Sequence, residues 1–166
     1  MPEPLDLLVP AIAMGVAGSA LMDLWSAVLR RRFGIPTLDY RLLGRWIGHL
    51  AKGRVAHQRI ALAEPVPGEL ALGWVAHYAI GVTFALGLVV LVGRAWLDAP
   101  TIWPALAVGV GTIVAPWLVM QPAMGAGIAG SRTPNPTATR LRNLGTHVVY
   151  GLGLYAAAAV MAVAIG

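Results

Sequence analysis

The chain has 166 residues, no cysteine, 58% hydrophobic and 11% charged residues, and a formal net charge of +5. A soluble domain needs roughly a quarter of its residues charged, so this balance points to an integral membrane protein, and the absence of cysteine excludes a disulfide scaffold, a Cys-ligated metal centre and a thiol nucleophile. The positive charge does not require nucleic acid as a partner: eight of the twelve Lys and Arg lie between Arg30 and Arg59 and three between Arg132 and Arg142, in two connections between apolar stretches.

A bilayer core needs about 20 apolar residues in a helix, and four stretches supply them, at about 5–29, 70–92, 102–129 and 144–165. The expected fold is an all-α, four-helix membrane bundle forming a single domain over residues 1–166. The third stretch holds Pro104, Pro116 and Pro122, each of which removes a backbone donor, so kinks are expected there. A signal peptide is the competing reading of the first stretch. It fits poorly, because the chain opens Met1-Pro2-Glu3-Pro4-Leu5-Asp6 with no positive n-region and stays largely apolar to Leu29.

Loops rich in Lys and Arg stay cytoplasmic. Both basic connections follow odd-numbered stretches, which places residues 30–69 and 130–143 in the cytoplasm and both termini outside. Within the first loop, Leu42, Leu43, Trp46, Ile47 and Leu50 recur at helical spacing, with Asp39, Arg41, Arg45 and His49 largely between them. That pattern predicts an amphipathic helix on the membrane surface, its cations meeting anionic lipid headgroups. Glu64 to Glu69 reads as a turn, with acidic residues near the N-terminus of the next helix, where the dipole favours them. In the second loop, Asn135 before Pro136 reads as an N-cap followed by proline at the first helical position.

Polar side chains in hydrocarbon need a partner or a purpose. Asp23, His77, Gln121 and His147 fall one in each stretch. Counted in fours, each lies on a row of mostly small or polar residues: Ala11, Gly15, Ser19, Asp23; Gly73, His77, Gly81, Ala85; Trp117, Gln121, Gly125; Asn143, His147, Gly151, Tyr155. Small residues let membrane helices approach closely, so these rows are expected to face inward. By rise per residue, Asp23, His77 and His147 lie roughly 7 to 12 Å inside the cytoplasmic boundary, with Gln121 deeper. The second and fourth stretches share a His-x-x-x-Gly-aliphatic pattern at His77 and His147, which would fit two related hairpins.

Three readings of these residues stay open. One is a binding or transport site for a proton, ion or small molecule, built on Asp23, His77, Gln121 and His147 with Asn143, Tyr78 and Arg132, since histidine titrates near neutral pH and a carboxylate stabilises its charged form. A second is a scaffold or assembly partner in which the same groups only hydrogen-bond between helices. The third is a haem or transition-metal site on His77 and His147, with Asp23 as a further ligand; Met120 and Met124 could add thioethers, though packing accounts for them more simply. Enzyme chemistry is disfavoured. No serine stands in a nucleophile motif, His-Glu-x-x-His is absent, and Gly125 to Arg132 lacks the Gly-Lys-Ser/Thr ending of a phosphate loop. Arg132 could meet a lipid phosphate, a ligand or a carboxylate. Self-association is compatible with the sequence.

Met22-Asp23-Leu24-Trp25, Leu38-Asp39-Tyr40, Gly44-Arg45-Trp46-Ile47-Gly48-His49, Gly73-Trp74-Val75-Ala76-His77-Tyr78 and Met120-Gln121-Pro122-Ala123-Met124-Gly125, with the Ser131–Pro136 loop and His147, resemble a bacterial family of small membrane proteins, domain of unknown function 2938. The resemblance spans nearly the whole chain. It implies a multi-pass bacterial inner-membrane protein without an established activity, and it assigns no catalytic residues.

Overall fold

Four helical stretches of the computed structural model, which describes residues 4–165, are long and apolar enough to cross a membrane: Asp6–Phe33, Glu69–Val92, Ile102–Ala123 and Pro136–Ala164. Only 17% to 33% of each apolar window is buried inside the protein. Val75, Leu91 and Val163 are 68%, 78% and 85% exposed, an exterior suited to lipid rather than water. The fold is an all-α bundle with no strand among the described residues.

Helix α1 is Pro4–Phe33, with Asp6 in its first turn and Arg30, Arg31 and Arg32 in its last, each complementing the helix dipole. Gly34 stops it in a left-handed conformation, φ 64°, its N–H closing on the Arg30 carbonyl at 3.2 Å. Helix α2, Tyr40–Leu50, is capped by Asp39, whose side chain accepts from the Arg41 N–H at 2.9 Å. Helix α3 is Glu69–Val92, α4 is Arg94–Asp98 and α5 is Ile102–Gly111. A π-helical segment, Ala115–Met120, follows α5 and leads into the single turn α6, Gln121–Ala123. Helix α7, Pro136–Ile165, starts at the expected cap, with Asn135 Oδ1 accepting from the Ala138 N–H at 3.0 Å.

The prolines of the third stretch act differently from one another. Pro104 sits in the first turn of α5, where its missing N–H costs nothing. Pro116 opens the π-helical segment, in which the Gln121 N–H reaches the Pro116 carbonyl. The helix was expected to run to 129, and it ends at Ala123 instead. Two features stop it: Gly125 and Gly127 take φ of 92° and 74°, and the Ala123 and Met124 carbonyls accept from the His57 and Ile60 N–H groups at 2.8 and 3.1 Å. Those carbonyls are then committed to the first loop rather than to a further helical turn.

The described residues group into two compact units. One takes those of Met1–Thr37, Tyr78–Thr112 and Gly145–Gly166; the other takes Leu38–His77 and Ile113–Leu144. In the first unit Met14, Leu88, Val89 and Leu154 are fully buried around Ala11, Ala105, Tyr150 and Ala158. Lipid offers no hydrophobic drive between helices, so close van der Waals contact must supply the cohesion. A Cβ added to Gly15 would lie 2.5 Å from Val82 Cα, and one on Gly109 2.5 Å from Gly151 Cα; at these crossings backbone meets backbone.

In the second unit, α2 packs on the first turns of α3. A Cβ on Gly44 would run into the Glu69 carbonyl, and one on Gly73 into the Tyr40 carbonyl. Leu43 and His49 of α2 are 3% and 4% exposed, so this helix is anchored by protein packing as well as by any surface it meets. Arg45, expected among the lipid-facing cations, bonds to protein instead. Its Nε and Nη2 donate to Glu69 Oε2 and Oε1, both at 2.9 Å, and Nη1 donates to the Ala61 and Ala63 carbonyls at 3.1 Å.

Candidate functional site

The small-residue rows face inward as expected. Ala11, Gly15 and Ser19 are buried, as are Gly73, Gly81, Ala85, Gln121, His147 and Gly151, while Asp23, His77 and Asn143 are half-buried. Each intramembrane polar residue has a defined place within its own unit.

In the first unit, the Tyr78 hydroxyl donates to Asp23 Oδ2 at 3.0 Å. This links α1 to α3 through an ionisable carboxyl and a neutral donor. On α7, His147 Nδ1 lies 3.1 Å from Thr112 Oγ1 and 3.2 Å from the Gly109 carbonyl, while Thr112 Oγ1 donates to that carbonyl at 2.7 Å. Tyr150 donates to the Gly81 carbonyl at 2.6 Å. Ser19 Oγ is buried against Gly81 without a hydrogen-bond partner among the described residues.

In the second unit, His77 Nε2 lies 3.2 Å from the Tyr40 hydroxyl, and the two rings stack obliquely with centroids 4.6 Å apart. Trp74 completes the aromatic group, 4.3 Å from Tyr40. The π-helical segment and α6 carry Trp117 and Gln121 to α7. The Asn143 amide is oriented by these neighbours: its oxygen accepts from Gln121 Nε2 at 2.6 Å and Trp117 Nε1 at 3.2 Å, and its nitrogen donates to the Thr139 carbonyl at 3.2 Å. Gln121 Oε1 remains a buried acceptor without a hydrogen-bond partner among the described residues. It faces Gly130, where an added Cβ would lie 3.5 Å away. Arg132 is exposed, and its backbone N–H donates to the Ala126 carbonyl at 2.8 Å.

Two further groups, not singled out as site residues from the sequence, occur in this unit: the Arg45–Glu69 pair, where α2 meets the start of α3, and a histidine pair outside the membrane-spanning helices. The hydrogen bond with Glu69 raises the Arg45 guanidinium above its already high pKa. His49 Nδ1 lies 2.7 Å from His57 Nε2, with the rings stacked at 4.9 Å. Burial, then the neighbouring His49 and Arg54, push the His57 imidazole below the usual histidine range, against the opposing influence of the Ala123 backbone on the ring.

The family described as protein of unknown function (DUF2938) matches residues 12–161, a range that takes in Asp23, His77, Gln121 and His147. The chain belongs to that family. No curated protein and no solved structure matches it.

In this DUF2938 protein the two histidines of the repeated His-x-x-x-Gly pattern have unlike partners, Tyr40 for His77 and Thr112 with Gly109 for His147. The echo extends to the buried glycines Gly81 and Gly151 and not to the hydrogen bonds. Among the described residues no group of three or more His, Asp or Glu side chains is placed to hold a metal ion.

Proposed function

We propose that this DUF2938 protein is a non-enzymatic membrane protein that binds and passes protons, alone or with a small polar solute, using Asp23, His77, Gln121 and His147, with Tyr78, Asn143 and Arg132 in supporting roles. The observation that carries this reading is the Asp23–Tyr78 hydrogen bond inside two apolar helices. An ionisable residue in hydrocarbon is costly enough that a functional role is the default inference. Tyrosine suits the task, since its hydroxyl can donate to the ionised carboxylate and accept from the protonated one. The pair can therefore stay bonded through a protonation cycle.

The test is proton flux into vesicles holding the purified protein, driven by a potassium diffusion potential. Asp23→Asn keeps the side-chain volume and an oxygen that can accept from Tyr78, but it cannot carry the proton. Flux above that of protein-free vesicles is expected, with a loss of at least about tenfold in the variant, equivalent to about 1.4 kcal/mol. Wild-type flux equal to the protein-free background would end the transport reading and favour a scaffold. That second reading draws on the Tyr150–Gly81 and His147–Thr112 bonds, which tie helices together without involving a carboxylate.

In this reading the protein sits in a bacterial inner membrane, with both termini outside and the basic connections in the cytoplasm beside anionic headgroups. The absence of native cysteine makes the orientation simple to test. In intact right-side-out cells, a membrane-impermeant maleimide should label Asp98→Cys and spare Leu62→Cys; the reverse pattern would invert the topology.

A further inference from the structure

Outside the proposed intramembrane site, His49 and His57 form a pair, the first buried and the second half-buried, that no part of that reading uses. His49 is 4% exposed, the two imidazoles share a 2.7 Å N–N contact, and His57 Nδ1 is buried without a hydrogen-bond partner among the described residues. One nitrogen of such a pair must carry the shared proton while the other accepts it. The contact therefore requires at least one neutral ring. Two protonated rings would place N–H against N–H and two positive charges at stacking distance.

What the pair holds gives it consequence. His49 belongs to α2, whereas His57 sits on the segment whose backbone is bonded to the end of the third membrane stretch: His57 N–H to the Ala123 carbonyl at 2.8 Å and Ile60 N–H to the Met124 carbonyl at 3.1 Å. Gly125 lies so close to Gln58 that any side chain there would run into the Gln58 carbonyl. The same segment supplies the Ala61 and Ala63 carbonyls that bind Arg45 of α2. It is thus a strap fixed at one side to α2 and at the other to the turn following Gln121.

We propose that the His49–His57 pair is a proton-operated latch: neutral, it holds the 54–63 strap closed on α2 and on the Ala123–Gly125 turn, and double protonation releases the strap. The charged groups acting on His57 are His49 and Arg54, both of which oppose its protonation; the Met120–Gly125 segment packed against it brings no titratable side chain. The sign follows from linkage. Because the closed state holds His57 below the ordinary histidine range, the released state binds more protons. Closure is therefore fully favoured above that range and weakens as pH falls through it, levelling off below the closed-state value.

Hydrogen–deuterium exchange on the full chain in lipid nanodiscs tests this, read at the His57 and Ile60 amides and corrected for intrinsic exchange rates. Between about pH 7.5 and pH 5.5, protection at these amides is expected to fall about tenfold while the amides of α7 keep theirs. His57→Phe keeps a ring in place without titrating and should abolish the dependence. His49→Gln, which can still bond to His57 Nε2 and carries no charge, should reduce it even if the phenylalanine variant folds poorly. Wild-type protection that is the same at both pH values overturns the latch, as does a pH dependence that survives in both variants.

Discussion

Replacing Arg45 with alanine is expected to cost about 3 kcal/mol of stability, since hydrogen bonds to charged groups contribute about 1.5 to 3 kcal/mol each and this guanidinium makes a bidentate pair with Glu69 besides its carbonyl contacts. The pair is largely sheltered, with side chains 12% and 15% exposed, so solvent screening does not reduce it to the near-zero value of a surface bridge. Removing the arginine leaves the Glu69 carboxylate and the Ala61 and Ala63 carbonyls short of their donor. Arg45→Lys should recover less than half of the loss, because an ammonium cannot reproduce the planar two-pronged contact. Thermal unfolding of the purified protein measures both variants; an alanine variant as stable as wild type would show that the ion pair does not hold the strap.

The second large effect is expected at a helix crossing. Gly109→Val should destabilise the first unit by about 1 to 3 kcal/mol or more through overpacking, because a Cβ there meets Gly151 Cα at 2.5 Å, Gly151 N at 2.7 Å and the His147 carbonyl at 2.9 Å. All three are backbone atoms of α7 and cannot rotate away. Separating α5 from α7 would also break the Thr112–His147 bond. Gly111, two residues along, has nothing within 4 Å of an added Cβ and is exposed, so Gly111→Ala should be neutral or slightly stabilising. Equal unfolding temperatures for the two variants would refute the close crossing.

The contrast between Gly109 and Gly111 also shows what could be read from residues alone. Apolar length locates the helices, because a bilayer demands it, and four-residue periodicity finds the inward rows, because small and polar side chains have no favourable contact with lipid. Asn135 and Pro136 announce the start of α7 by local capping chemistry. The end of the third stretch was not legible in this way. It depends on which donors reach the Ala123 and Met124 carbonyls, and those donors lie more than sixty residues earlier, at His57 and Ile60. The π-helical segment is similarly hidden: Pro116 signals a disturbance, but whether the helix kinks or changes its hydrogen-bond register is settled by packing.

The candidate site divides along the same line. Asp23, His77, Gln121 and His147 stand out because polar residues are rare in such helices, yet Tyr40 and Thr112, the partners of His77 and His147, do not, being ordinary residues for membrane helices and their borders. His49 looked like part of the polar pattern of a surface helix and is instead buried. Its partner eight residues away lies beyond the helix end, outside the reach of helical periodicity. Arg45 looked like a lipid-facing cation because its distant carboxylate, Glu69, becomes a neighbour only when α2 packs on α3.

Infrared difference spectroscopy of lipid-reconstituted protein between about pH 5 and pH 8, comparing wild type with Asp23→Asn, tests the central claim most directly. Asp23 should contribute a carboxyl band that changes with pH in wild type and is missing from the variant, with the remaining carboxylates cancelling in the comparison. Superimposable difference spectra would show that Asp23 exchanges no proton in this range, leaving the intramembrane polar residues as packing contacts.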